Sequence, residues 1–137
     1  MITPFIIYGP DYGDGFDYTE NARCHCYIFV VISKIVYHVG VYNPVGIQDR
    51  VDRVVHSSPC FHDNPMIVIK TITREAIDEA ISYLSNNTYF FSDIRGLSKK
   101  ELLSTESNWL AHPSKIAFSS CFPSDVVSWN EILEAAR

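Results

Sequence analysis

The sequence predicts an α+β fold, in which a mixed sheet of about five to six strands starts with a meander and two main helices (74–85 and 124–136) pack on it. The first observation is the order of the elements, because strand-like segments dominate the first third and alternate with helix-like segments afterwards. The second is size: 137 residues with 47% hydrophobic content can form one globular domain spanning 1–137 without a metal or a disulfide.

Three strands are predicted at 4–8, 23–32 and 34–42, where β-branched and aromatic residues are frequent. The part of the second strand from residue 26 to 32 is apolar on both faces, which favours a central position in the sheet. Ser33 and Lys34 are the expected turn between the second and third strands. They lack the Asn-Gly signature of a tight hairpin, so the register of the two strands stays open.

Helical periodicity governs the middle of the chain. Residues 47–55 have apolar side chains at helical spacing, which predicts a short helix, with a strand at 53–56 as the alternative. The clearest element is the helix 74–85, where five apolar residues share one face and Thr73 is positioned as the N-cap.

The last third begins with a capping box, because Ser98 is followed three residues later by Glu101. This predicts a short helix to about Leu103, followed by a polar loop that contains Trp109. The other predicted elements are strands at 66–70, 88–92 and 115–119 and the final helix, which Ser124 caps.

Net charge is concentrated near the N-terminus. The chain has a formal charge of −5, and residues 1–22 contain four acids and no Lys or Arg, whereas residues 23–137 contain eleven basic and twelve acidic side chains. The absence of a basic stripe argues against nucleic-acid binding. No apolar run approaches the ~20 residues that cross a bilayer, so no membrane span is expected.

The acids of this region alternate with aromatics and glycines in one loop after the first strand. Carboxylates steer a basic partner and aromatics supply contact area, so a docking surface for a basic protein is one interpretation. A calcium loop, whose spacing does not match an EF-hand, and a plain solvated loop are the alternatives. The candidate partner-binding residues are Asp11, Tyr12, Asp14, Phe16, Asp17, Tyr18, Glu20 and Trp109.

Cysteines and histidines offer two further interpretations. If the segments around 24–26 and 56–62 converge, their side chains match the donors that zinc prefers, although the spacing fits no common zinc finger. Core thiols are the alternative for a strand. Cys121 precedes the final predicted helix, whose dipole lowers a thiol pKa and makes it a candidate nucleophile. The candidate metal ligands are Cys24, Cys26, His56, Cys60 and His62.

The sequence contains no phosphate loop, nucleotide-binding glycine motif or metalloprotease motif, and no cofactor is expected. Without an export signal, a cytoplasmic location is expected. The leading functional hypothesis is a small acidic protein-binding module, of the inhibitor or immunity-protein type, that blocks a basic partner such as a nuclease or toxin. The alternative is an enzyme with a Cys nucleophile or a Cys/His zinc site. The sequence leaves the oligomeric state open.

Overall fold

The structure, a computed structural model, describes residues 4–8, 25–62, 65–109, 117–118, 134 and 136. These residues form strands and helices in an α+β arrangement, as the sequence predicts. The elements in chain order are β1 (Phe5–Tyr8), β2 (His25–Ile32), β3 (Ile35–Tyr42), α1 (Pro44–Val54), β4 (Met66–Val68), α2 (Arg74–Asn87), α3 (Lys99–Trp109) and β5 (Ala117–Phe118).

The strands form one small mixed sheet in the order β4-β3-β2-β1-β5. All neighbours are antiparallel except β3 and β4, which are parallel and joined through α1. The predicted number of five to six strands is not confirmed, because only β1, β2 and β3 are longer than three residues. β4 and β5 contain only three and two residues, and the segment 88–92, expected to be a strand, forms bends and turns.

The hairpin β2–β3 fixes the centre of the sheet. Ser33 and Lys34 form its two-residue turn, and both have positive φ angles, 50° and 67°. This left-handed backbone matches the twist of the flanking strands, although neither residue is the glycine or asparagine that such a turn favours. The register that results pairs Ile32 with Ile35 next to the turn and His25 with Tyr42 at the far end.

One face of the sheet forms the main hydrophobic core. Residues alternate across β2 and β3, so every second side chain points to this face. Helix α2 covers it with Ile77 and Ile81, both fully buried. The strand residues in this core are Ile6, Cys26, Ile28, Val30, Tyr37, Val39, Val41 and Ile67.

Helices α1 and α2 begin at capped positions. The side-chain oxygen of Asn43 accepts from the amide of Gly46 at 2.8 Å, and the Thr73 hydroxyl accepts from the amide of Ala76 at 3.0 Å. The Thr73 cap is the one predicted. Helix α2 runs two residues beyond the predicted 85, where Asn86 and Asn87 donate from their side chains to backbone carbonyls one turn earlier.

Helix α3 begins with the predicted capping box. The Ser98 hydroxyl accepts from the amide of Glu101 at 3.2 Å, and the Glu101 carboxylate accepts from the amide of Ser98 at 3.1 Å. The expected end near Leu103 is wrong, because α3 continues to Trp109. Trp109 therefore ends a helix and does not lie in a polar loop. The capping box forms the first turn of α3, and adding each further residue to a helix costs less free energy than forming that first turn. The helix therefore extends beyond Leu103.

Segment 88–92 contains the β-formers Tyr89, Phe90 and Phe91 but does not form a strand. The Thr88 hydroxyl donates to the carbonyl of Leu84 and accepts from the amide of Phe90, and these local bonds hold the chain in a turn after α2. Phe91 is buried and its ring lies 5.1 Å from that of Tyr37. The apolar residues of this segment thus complete the core without joining the sheet.

Two further expectations concern the final helix and the absence of a membrane span. The predicted helix 124–136 lies outside the described residues except for 134 and 136, of which 134 is helical. Within the part of the chain that the structure describes, no helix has both the length and the apolar character needed to cross a membrane.

Candidate functional site

The acidic, aromatic-rich segment predicted as a docking surface is anchored by two paired strands. Tyr8 at the end of β1 pairs with Ile28, three residues inside β2, and the two strands are antiparallel. The chain therefore leaves and re-enters the sheet at the same end. The candidate residues Asp11, Tyr12, Asp14, Phe16, Asp17, Tyr18 and Glu20 themselves lie outside the described residues.

That end of the sheet also holds a cluster of histidine and tyrosine side chains on the face opposite the main core. His25 and Tyr27 alternate with the core residues of β2, so they point to this second face. His25 stacks on its cross-strand partner Tyr42 with ring centroids 5.5 Å apart and an angle of 16° between the planes. The hydroxyl groups of Tyr27 and Tyr42 are 3.2 Å apart.

The absence of a side chain at Gly40 explains how the Tyr27 ring contacts both His25 and His38. Gly40 is the cross-strand partner of Tyr27. The Tyr27 ring therefore has space to contact His38, at 5.3 Å between centroids, and the edge of His25, at 5.6 Å. Phe29 extends the row, since its ring lies 5.0 Å from that of His38. The rings of these residues form a continuous line in the order His25, Tyr27, His38 and Phe29, which we call the His25–His38 row.

Helix α1 adds a permanent positive charge to one end of this row. An Nη2 of Arg50 lies 3.1 Å from Nε2 of His25. A guanidinium has donors only, so His25 accepts at Nε2 and holds its proton at Nδ1. Because Asn43 caps α1 directly after β3 ends at Tyr42, no loop separates the strand from the helix that carries Arg50.

The candidate zinc ligands are distributed over different surroundings. Cys26 is fully buried in the main core, whereas His56, Cys60 and His62 are exposed in the segment after α1. Among the residues that the structure describes, no group of three or more His, Cys, Asp or Glu side chains is placed to hold a metal. Cys24 and the candidate nucleophile Cys121 lie outside those residues.

Trp109 has its backbone at the last position of α3. Neither Arg50 nor the pairing of His25 with Tyr42 is among the site features predicted from the sequence. The signal for that pairing was present, because a two-residue turn at Ser33 and Lys34 requires His25 to lie opposite Tyr42. The contact of Arg50 with His25 has no comparable signal, since it joins residues 25 positions apart through the packing of α1.

Comparisons with known proteins assign no family or function. No family model matches the sequence. No curated protein and no solved structure shows significant similarity to the chain.

Proposed function

We propose that this protein is a binding module of the inhibitor or immunity-protein type, which uses its acidic N-terminal segment to block a basic protein such as a nuclease or toxin. The observation that carries the proposal is the concentration of charge. Four of the five net negative charges fall within residues 1–22, which contain no Lys or Arg. Clustered carboxylates steer a cationic protein towards one surface and increase its association rate.

The way the segment joins the sheet supports this role. Its two ends are fixed by the β1–β2 pair, and β2 is a central strand with buried residues on both faces. A binding segment on a rigid scaffold loses less conformational entropy on complex formation than one on a mobile tail. The aromatic residues Tyr12, Phe16 and Tyr18 would supply the apolar contacts that salt does not screen.

The experiment measures inhibition of a captured basic partner. The full chain is immobilised and used to capture proteins from cells of the native host, and a captured basic protein is then assayed with and without the full chain. Changing Asp11, Asp14 and Asp17 together to Asn should weaken inhibition at least tenfold. It should also flatten the dependence of affinity on salt, because fewer charge pairs are screened.

A control variant separates local charge from net charge. Glu75→Gln, Glu79→Gln and Asp93→Asn also remove three negative charges, from exposed positions on and after α2. This control should inhibit like the unmodified protein. Binding that is insensitive to salt and unchanged in the Asp11, Asp14 and Asp17 variant would refute the proposed mechanism.

A further inference from the structure

β4 stands at one end of the sheet, and its bonds to β3 come from alternate residues. The two strands are parallel and pair from Gly40 to Tyr42. The amide of Gly40 donates to the carbonyl oxygen of Pro65 at 2.9 Å, and the amide of Ile69 donates to that of Tyr42 at 2.8 Å. Residues 65, 67 and 69 therefore face β3, because the backbone groups of successive residues in a strand point alternately to its two sides.

The backbone groups of Met66 and Val68 consequently point away from the sheet. In the part of the chain that the structure describes, no hydrogen bond joins these groups to another segment. The side chain of Val68 is 53% exposed. The outward N–H and C=O groups of Met66 and Val68, which we call the β4 edge, form a template for one more strand.

The hydrogen-bonding pattern of the β4 edge is self-complementary. A two-fold axis at Ile67 places Met66 of one copy opposite Val68 of an antiparallel second copy, and Val68 opposite Met66. Both residues of each pair have outward groups, so every donor and acceptor of the β4 edge finds a partner. The segment Met66–Val68 contains no charged side chain, so like charges do not meet at the paired positions.

We propose that two copies of this chain pair through their β4 edges, antiparallel about Ile67, so that the two sheets become continuous. A second copy fits this edge because the same residues supply both halves of the contact. A two-fold contact closes on itself, so the product is a dimer and not a filament. The exposed charge of Lys70 limits the pairing to this short stretch.

This inference goes beyond the proposed function and does not depend on it. The acidic segment follows β1, and β3 and β2 separate β1 from β4 in the sheet. Pairing through the β4 edge therefore leaves the β1–β2 end of the sheet available for a basic protein. Loss of the dimer and loss of inhibition can be measured separately, because they require changes in different parts of the chain.

The first test is amide hydrogen exchange of the full-length protein, followed by NMR over a roughly hundredfold range of protein concentration. The amides of Met66 and Val68 should exchange freely in dilute solution and slow by about tenfold or more as the dimer forms. The amide of Ile69, which is bonded to Tyr42, should be protected throughout. Light scattering over the same range should show the mass rising to that of two chains.

The second test is a pair of variants at one position. Val68→Pro removes an outward donor and leaves the bonds between β4 and β3 in place, because the amide of Val68 faces away from β3. It should raise the dissociation constant of the dimer by about tenfold or more. Val68→Thr is the matched control, since it keeps the N–H group and the β-branched shape, and it should change that constant less than about threefold.

The unmodified protein alone can overturn the proposal, so the test does not depend on the folding of a variant. A mass of one chain at every concentration would exclude the dimer, and growth beyond two chains would exclude the closed pair. Protection of Met66 and Val68 that is independent of concentration would mean that a single chain covers its own β4 edge. Equal dimerisation of Val68→Pro and Val68→Thr, with both folded by circular dichroism, would place the contact on another surface.

Discussion

The backbone amide of Leu97 donates a hydrogen bond of 2.7 Å to the carbonyl oxygen of Val36. β4 pairs with β3 only from Gly40 to Tyr42. Val36 lies on β3 nearer the turn between β2 and β3, so the bond from Leu97 reaches a part of β3 that β4 does not pair with. An uncovered strand edge is a template for aggregation. The segment before α3 therefore covers part of the β3 edge that β4 is too short to reach.

Gly96 permits this close approach, and we predict that Gly96→Ala destabilises the fold by about 1–3 kcal/mol through overpacking. A Cβ at this position would overlap Cγ2 of Ile35 and lie 3.3 Å from the carbonyl oxygen of Val36. Cγ2 branches directly from the Ile35 Cβ, so it cannot move without a change of rotamer or backbone. Urea unfolding followed by circular dichroism measures the loss.

A double variant tests that cause. Ile35→Ala removes the methyl group that Gly96→Ala would meet, and Ile35 is about half exposed, so the single change should cost little. We expect Gly96→Ala to be less damaging in the Ile35→Ala background, with a coupling free energy above about 0.5 kcal/mol. Strict additivity of the two changes would contradict the steric explanation.

The turn at Ser33 and Lys34 is strained by residue type. Both residues adopt left-handed backbone angles, which cost L-residues with a Cβ about 1 kcal/mol each. Replacing the pair with Asn-Gly should therefore stabilise the protein by about 1 kcal/mol or more, seen as a higher urea midpoint at unchanged slope. Lys100→Gly is the control, because it introduces a glycine into helix α3 instead of the turn. It should destabilise the protein by a similar amount, since glycine disfavours helix. A lower midpoint for the Asn-Gly variant would disprove the assignment of strain.

Glu101 should make stability depend on acid pH. Its hydrogen bond with Arg95 and then those with Ser98 lower the pKa of Glu101 from 4.5 to about 2. A lowered pKa in the folded state adds stability that is complete above pH 4.5 and is lost as the pH falls through about 2. Glu101→Gln should thus cost up to about 1 kcal/mol at neutral pH, since the pair is exposed, and almost nothing near pH 2.

The measurement is chemical unfolding of both proteins at a series of pH values. Glu79→Gln serves as the control, because Glu79 is an exposed acid on α2 outside the capping box. It should show no difference that grows between pH 2 and pH 4.5. A Glu101→Gln deficit that stays constant across this window would mean that the carboxylate charge is not the cause.

Ile81 tests the packing of α2 on the sheet. Its side chain is fully buried in the main core, so Ile81→Ala should destabilise the protein by about 2–5 kcal/mol through lost burial and a cavity. Tyr83 lies two residues further along the same helix and is 58% exposed. Tyr83→Ala should change stability by less than about 0.5 kcal/mol. Similar losses in both variants, measured by thermal unfolding, would contradict the assigned helix face.

Local patterns predicted the elements whose signals lie within a few residues. Helix α2 follows from its apolar periodicity and the Thr73 cap, and the start of α3 follows from the reciprocal bonds of Ser98 and Glu101. The segment 88–92 was mispredicted as a strand because strand formation depends on an available neighbour as well as on composition. Here Thr88 satisfies the backbone locally and Phe91 packs into the core.

The candidate site also has features that the sequence predicts and features that only the tertiary structure shows. The sequence by itself determined where the negative charge lies, because charge is a property of residue type and residues 1–22 contain acids without bases. It also determined the α+β class through the order of its periodic segments. Only the tertiary structure decided that Arg50 meets His25 and that Leu97 covers Val36, since those contacts depend on how α1 and the segment before α3 pack on the sheet. Local propensity carries no information on such distant pairs, because their separation in the chain is bridged only when the whole fold forms.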